Sequence, residues 1–444
     1  MSRKLTTVVL GTILACFSLL SFQANQPVEA AAAASSGKAK NVIFMIPDGF
    51  STAFATNYRL FKGQPSVMDS LLVGMVKTYS ADSALTDSAA AATAMATGHK
   101  TNNGMIGTTP DGIRHKTILE AAHEQGKATG LVATASITDA TPAAFSSHIF
   151  SRDEESDIAL QQLGKADVLL GGGKDFFLPE SMGGKQKERN LLEEAKRSGY
   201  TIVEDRNQLQ SASGGKILGL FAGRDMAPEL DRRHTNEPSL KDMTAKAIDT
   251  LRKDKDGFFL LVEGSQIDSA GHYNDAAWAM KDTQAFEEAV ALALDFAKKD
   301  GNTLIVIVGD HDTGGMSVGG YGQIGAKLDV LHQVKASGIF MADRLKSDRS
   351  NVKEVLKTYA NIDVTAAEEA KIKSAKDAMQ AINGVISERA LVGWITYLHT
   401  GVDVQMYAFG PGSDLFRGLH NNTELPHLVA QVLNIDFGND GHKK

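Results

Sequence analysis

Leu304-Ile305-Val306-Ile307-Val308-Gly309-Asp310-His311-Asp312 is the stretch that decides how this chain folds. Consecutive apolar, mostly β-branched residues leave no face for water, so Leu304 to Val308 reads as a strand covered on both sides. The run then stops at a glycine and gives way to ionisable side chains. The same arrangement recurs elsewhere. Asn41-Val42-Ile43-Phe44-Met45-Ile46 runs into Pro47-Asp48-Gly49, and Phe258-Phe259-Leu260-Leu261-Val262 runs into Glu263, with Asp268 and His272 shortly after. Gly130-Leu131-Val132-Ala133 and Val404-Gln405-Met406-Tyr407-Ala408-Phe409 are further runs of the same kind.

Helical patterns separate the runs. The clearest spans Thr283 to Lys299, with Phe286, Val290, Leu292, Leu294 and Phe296 supplying an apolar stripe. Lys298 and Lys299 suit the negative end of a helix, and Gly301 suits its cap. Alternating strands and helices predict an α/β fold, a three-layer sandwich with a central, mostly parallel sheet between helices. From about Tyr321 to Gly393 the pattern changes. Its second half is rich in Ala, Glu, Lys and Asp and has no apolar run. It reads as a small helical insertion or lid, or equally as part of the outer helical layer.

Composition narrows the class. The chain has 444 residues, 43% hydrophobic and 22% charged, with 42 Gly and 10 Pro, which excludes a disordered, collagen-like or coiled-coil protein. A formal net charge of −7 argues against nucleic acid as a specific partner. Arg3 and Lys4 precede an apolar stretch from Leu5 to Phe22, and Val28-Glu29-Ala30-Ala31 follows. This is the pattern of a secretory signal peptide over residues 1–30, with a flexible mature N-terminus over 31–40. A membrane anchor is the competing reading of the same stretch. After cleavage no transmembrane segment is expected, and the protein would be secreted. The only cysteine, Cys16, lies inside the signal, so the mature chain can form no disulfide. Ile13-Leu14-Ala15-Cys16 faintly resembles a lipobox, which gives the alternative of a lipoprotein anchored at Cys16.

Carboxylates and imidazoles placed directly after buried strands gather at the carboxyl edge of a parallel sheet, where ligands bind. Carboxylate plus imidazole without thiolate suits Zn²⁺, and oxygen-only sets suit Mg²⁺. Asp268 and His272 are four residues apart and share one face of a helical turn. Thr86-Asp87-Ser88-Ala89-Ala90-Ala91-Ala92 predicts a helix start, with Gly98 as its end. Ser88 there is either a nucleophile beside the unpaired N–H groups or, like Asp87, a capping residue.

Taken together and in order, Pro47-Asp48-Gly49, Asp87-Ser88-Ala89-Ala90, Asp139-Ala140-Thr141-Pro142-Ala143 with Ser151-Arg152, Glu263 with Asp268 and His272, Asp310-His311 and His399-Thr400-Gly401 resemble the bacterial alkaline phosphatases, in particular the secreted Bacillus type. The likeness runs from about Asn41 to Leu433, within a phosphatase domain taken as 41–444. It implies a phosphomonoesterase acting on diverse phosphate monoesters through a phosphoserine at Ser88, releasing phosphate for scavenging. It also implies two Zn²⁺ and one Mg²⁺. One Zn²⁺ would be held by Asp268, His272 and His399, and the other by Asp48, Asp310 and His311. Mg²⁺ would be held by Asp48, Thr141 and Glu263, with Asp139 reaching it through water. Arg152 would grip two phosphate oxygens, and the protein would be a homodimer. A phosphodiesterase or sulfatase of the same superfamily is the alternative, disfavoured by Thr141 and Glu263 and by the lack of a mature cysteine. Asp312, one residue from a ligand, is expected to stand behind the metal ligands. Ser269 replaces the basic or aromatic residue of relatives, which predicts looser retention of phosphate.

Overall fold

The computed structural model describes residues 37–438. The predicted signal peptide, and most of the tether that follows it, lie outside the described residues. The strands are β1 Asn41–Pro47, β2 Leu72–Lys77, β3 Ala128–Ser136, β4 Val168–Gly172, β5 Thr201–Val203, β6 Ile217–Leu220, β7 Phe258–Gly264, β8 Thr303–Val308, β9 Asp312–Thr313, β10 Ser317–Val318, β11 Val392–Gly393, β12 His399–Thr400, β13 Val404–Phe409 and β14 Gly418–Asn421. A ten-stranded sheet runs in the order β14-β2-β13-β8-β1-β7-β3-β4-β6-β5. Every neighbour pair is parallel except those of β13, which runs antiparallel to β2 and β8.

The continuous apolar runs have a simple cause. Every residue of β1, β7 and β8 is buried, because each face of the sheet carries its own hydrophobic layer. Ile43 and Met45 of β1 join the layer that holds Phe286 and Val290, while Val42, Phe44 and Ile46 join the opposite one with Ala89 and Phe145. Each fully buried Ile, Leu or Phe contributes about 1.5–3 kcal/mol relative to exposure. A polar residue on either face of these strands would lose that contribution and leave an unpaired group in the core.

The helix read as starting at Thr283 begins earlier, at Ala276, and runs to Asp300. Asp275 caps it, its Oδ1 accepting from Trp278 N at 3.0 Å. Its start was obscured because Ala276-Ala277-Trp278-Ala279-Met280 is apolar throughout and buried all round, so it shows no stripe. Gly301 ends the helix in the left-handed conformation at φ 72°, donating to Ala297 O. The segment 321–393 forms helices Gly338–Ala342, Val352–Ala360, Ala366–Ser374 and Ala378–Ala390. Its Leu331, Leu356, Ile382 and Ile386 enter the same hydrophobic layer as Phe286 and Val290. β10 and β11 pair antiparallel and close the base of the segment.

In the main sheet β4 and the short strands β2, β5, β6 and β14 go beyond those read from the sequence. β2 and β14 are partly exposed at one edge, and β5 and β6 have only three and four residues. Short edge segments interrupted by glycine carry little periodic signal.

Candidate active site and metal centre

The helix Ser88–Thr97 follows Asp87, whose Oδ1 accepts from Ala90 N at 2.9 Å. Asp87 is therefore the cap, and Ser88 is the first helical residue with its hydroxyl left over. Every residue of this helix is buried. Its alanines allow close packing on the helix Ala140–Ser146, which follows β3. Ser88 Oγ lies 3.1 Å from His311 Nε2.

β1 and β8 are neighbours, so Asp48 and the pair Asp310-His311 emerge side by side. The donor atoms of Asp48, Asp310 and His311 lie within 4.8 Å of one another, and all three residues are buried. Gly49 makes the turn at φ 71° and donates its N–H to Asp310 Oδ1 at 3.0 Å. A Cβ at Gly49 would stand 2.9 Å from Asp268 Cα, so only glycine fits between the two groups of acids.

Asp268, His272 and His399 form a second triad within the same 4.8 Å limit, half-buried at the mouth of the cleft. Asp268 and His272 sit on the helix Gln266–His272, directly after β7. His399 arrives from 127 residues further on, through antiparallel pairing of β12 with β9: His399 opposite Thr313 and Thr400 opposite Asp312. His272 Nδ1 meets Tyr397 O at 2.7 Å and His399 Nδ1 meets Thr86 O at 2.8 Å. A carbonyl can only accept, so each Nδ1 carries a proton, and in the neutral imidazole each Nε2 keeps a lone pair. Those two Nε2 atoms face each other at 3.1 Å with Asp268 Oδ2 3.3 Å from that of His272. Two imidazole nitrogens at that distance need a proton or a metal cation between them; burial would lower His272, but its bond to the Asp268 carboxylate raises it, so without a metal a proton takes that place. The Thr313 hydroxyl joins the triads, donating to Asp268 Oδ1 and accepting from His311 Nδ1 at 3.2 Å. His311 Nε2 is thereby also left free to accept.

Glu263 is the penultimate residue of β7 and is wholly buried. Both its carboxylate oxygens, Asp48 Oδ1, Asp310 Oδ2 and Thr141 Oγ1 are buried without a hydrogen-bond partner. Such atoms cost several kcal/mol each if left bare. Burial pushes Glu263 up to about 8, helped by the Asp139 charge. Burial likewise pushes Asp310 up to about 7, against the Gly49 N–H bond. Asp48 is raised by burial and by the Asp310 charge. His311 is lowered by burial and by the neighbouring His399. Asp268 goes the other way. Burial would raise it, but its bond to His272 and the surrounding imidazoles hold it below the usual range. Buried oxygen donors with nothing to bind, beside imidazoles presenting lone pairs, fit hard and borderline divalent cations.

Arg152 stands between two carboxylates, Nη1 to Asp87 Oδ2 at 3.3 Å and Nη2 to Asp139 Oδ1 at 3.2 Å. Asp139 occupies the cap position of the helix Ala140–Ser146 yet makes no capping bond, which leaves its carboxylate for Arg152. Arg152, Ser88, Asp268, His272 and His399 all line one cleft of about 370 Å³, with Leu85 and Leu398 at its rim. A larger groove of about 500 Å³ between the helices Leu240–Leu251 and Ala276–Asp300 contains none of these residues. His148 is committed to Glu120 and to Gly107 O, away from this chemistry.

Sequence reading did not give Asp87 its second task at Arg152, nor Thr313 its place between the triads. Asp87 carried a signal only as a helix cap, and a threonine two residues after a histidine carries none. The carbonyls of Thr86 and Tyr397 have no sequence signal at all.

The chain matches the family model for alkaline phosphatase over residues 39–435. It is 44% identical to alkaline phosphatase 3 of Bacillus subtilis over 419 residues, covering 89% of each chain. The crystal structure of the cold-active alkaline phosphatase from a psychrophilic Shewanella superposes with a TM-score of 0.82 at 34% identity, covering 88% of this chain and 99% of that one. That of Thermus thermophilus alkaline phosphatase gives 0.83 at 29% identity, covering 90% and 92%. A buried serine at a helix start, two carboxylate–imidazole triads and a matching fold lead to one conclusion: the chain belongs to the alkaline phosphatase family of metal-dependent phosphomonoesterases.

Proposed function

We propose that the protein hydrolyses a broad range of phosphate monoesters through a covalent phosphoserine at Ser88. The observation that carries this reading is the Ser88 hydroxyl, free of any capping role, 3.1 Å from His311 and opening on the cleft that Arg152 lines. Asp268, His272 and His399 would hold one Zn²⁺, and Asp48, Asp310 and His311 the other. Asp48, Thr141 and Glu263 would hold Mg²⁺, with Asp139 beside them. When bound, such ions supply Lewis-acid chemistry, stabilising negative charge on oxygen and easing deprotonation of hydroxyl groups.

The chain's own residues do the rest. Arg152 presents a planar fork to two phosphoryl oxygens, and Asp87 and Asp139 hold that fork in place. The first turn of the helix Ser88–Thr97 adds a positive dipole end at the same oxygens. Ser88 Oγ gives up its proton to water in the open cleft and bonds to phosphorus as the ester P–O bond breaks, and the departing alkoxide takes a proton from water to leave as the alcohol. Water then breaks the Oγ–P bond and releases inorganic phosphate. Such a site reads the phosphoryl group and leaves the alcohol unselected, which suits phosphate scavenging outside the cell after removal of residues 1–30. Among the described residues no helix is long and apolar enough to cross a membrane. Val318, Tyr321, Ile324, Ile395 and Tyr397 are exposed apolar side chains, and the assembly proposed is a homodimer.

The test is hydrolysis of an aryl phosphate monoester at alkaline pH, beside the matching diester and sulfate ester. Fast monoester cleavage, abolished by chelation and by Ser88→Ala, is expected. Preference for the diester or the sulfate would overturn the reading. Light scattering of the intact protein tests the dimer, and a monomeric mass would remove it.

A further inference from the structure

Asp312 takes no part in the ligand sets above, yet it is buried at 2% exposure between them. Its Oδ2 accepts from Thr400 Oγ1 at 2.6 Å and from Gly315 N at 3.2 Å. The Ser51 hydroxyl also bonds to this carboxylate, but Thr400 and Gly315 are the partners that join the two ligand-bearing segments. Thr400 follows His399 and sits opposite Asp312 in the two-residue pairing of β12 with β9. Gly315 belongs to the turn that starts from His311. That turn is also held at Gly314, whose N–H donates to Leu398 O at 2.9 Å. A two-residue antiparallel ladder is too short to fix a strand by itself. The loop that carries His399 is otherwise held by Ile395 and Thr396 N–H bonds to Gly314 O and by His399 Nδ1 at Thr86 O, while Leu398 and Val402 on either side of it are exposed.

Resting on the metal-site reading above, we propose that Asp312 is a positioning residue. Through Thr400 it clamps the strand carrying His399 to the turn carrying His311, so that the half-exposed triad keeps its third ligand in register with the buried one. Asp268 and His272 come from one helical turn and stay together without help. His399 is the ligand that depends on a long-range contact. Loss of the clamp would therefore weaken the Asp268/His272/His399 site selectively and leave Asp48, Asp310 and His311, anchored at the ends of β1 and β8, nearly unaffected.

The experiment follows metal release from the fully loaded protein into graded chelator, with total metal read by atomic emission and free zinc by an indicator dye. Wild type, Asp312→Ala, Asp312→Asn and Thr400→Val are compared. Supporting groups behind metal ligands typically change affinity by about 10- to 100-fold. In Asp312→Ala one zinc equivalent should leave at about 10- to 100-fold lower chelator strength, the other at the wild-type value. Thr400→Val should reproduce that split. Asp312→Asn keeps an oxygen that can accept from Thr400 and should return most of the lost affinity. Equal weakening of both equivalents, together with a lower melting temperature of the chelated protein, would reduce Asp312 to a general packing role and overturn the inference. So would a wild-type release curve from folded Asp312→Ala. Wild type that retains no metal would overturn the metal-site reading as well as this one, so the two failures are distinguishable. If Asp312→Ala does not fold, Thr400→Val decides by the same criteria.

Discussion

The two triads draw on the same two residue types in opposite proportion, two aspartates and a histidine against one aspartate and two histidines, and differ as much in what surrounds them. Asp48, Asp310 and His311 leave the ends of adjacent central strands, are fully buried and carry oxygens without partners. Asp268, His272 and His399 are half-exposed, with each imidazole Nδ1 tied to a carbonyl and the carboxylate ringed by imidazoles. The surroundings push their acids in opposite directions: Asp310 up, Asp268 down. Two aspartates with one imidazole, deeply buried, thus make a site that is costly when bare, and one aspartate with two imidazoles, nearer the surface, makes one that tolerates being bare. The buried triad is held by strand geometry, and the exposed one by loop contacts.

The sharpest way to break this contrast is Asp48→Ala. That carboxylate faces both the buried triad and Glu263. Its loss should lower kcat/KM by about 10⁴-fold or more, as removal of central catalytic groups does elsewhere. Added metal should not restore it. A loss below about tenfold would mean that the buried triad is not central. His272→Ala should cost less, about 10²-fold, and excess Zn²⁺ should recover part of it, because the open site can rebind from solution. Failure of zinc to help would erase the distinction between the sites.

pH sharpens the contrast further. Glu263 and Asp310 have folded values of about 8 and about 7, above their ordinary carboxylate values. Folding the metal-free chain with these groups ionised is therefore unfavourable. The penalty is absent below the unfolded carboxylate range, grows as pH rises, and is complete above about 8. The chelated protein should melt at a higher temperature near pH 5 than near pH 9, and the loaded protein should reverse much of that loss. Asp268, held low, contributes with the opposite sign: its stabilisation is present above the ordinary carboxylate range and is lost only as pH falls below it. A chelated protein more stable at alkaline pH would contradict the directions assigned to the buried acids. The smallest effect expected is that of Ser269→Lys, a few-fold tighter inhibition by phosphate with slower turnover, from one added charge near a partly exposed site. Unchanged inhibition and turnover would remove Ser269 from phosphate release.

What could be read from the sequence follows the same division. Strands with a hydrophobic layer on each face announce themselves as unbroken apolar runs, and their ends announce the acids. Hence Asp48, Glu263, Asp310 and His311 were legible from the residues alone. Asp268 and His272 were legible from their helical spacing. His399, Thr141, Asp139 and Arg152 entered only through resemblance, because a distant strand, a short helix with its cap, and a loop bring them in and no local period marks them. The supporting contacts of Thr313, Thr400 and the Thr86 and Tyr397 carbonyls stayed hidden, since they exist only between segments far apart in the chain. The start of the helix at Ala276 was hidden for the reason given by its burial: a helix covered all round has no stripe.

The most direct test is whether the phosphoryl group rests on Ser88. Turnover of a monoester would be quenched in acid, where hydrolysis of the intermediate slows, and the digested protein mapped by mass spectrometry. One phosphoryl group on the peptide that begins the helix Ser88–Thr97, at Ser88 and absent from Ser88→Ala, is the predicted result. Rapid monoester hydrolysis that continues in Ser88→Ala, with no phosphorylated peptide at any substrate concentration, would contradict it.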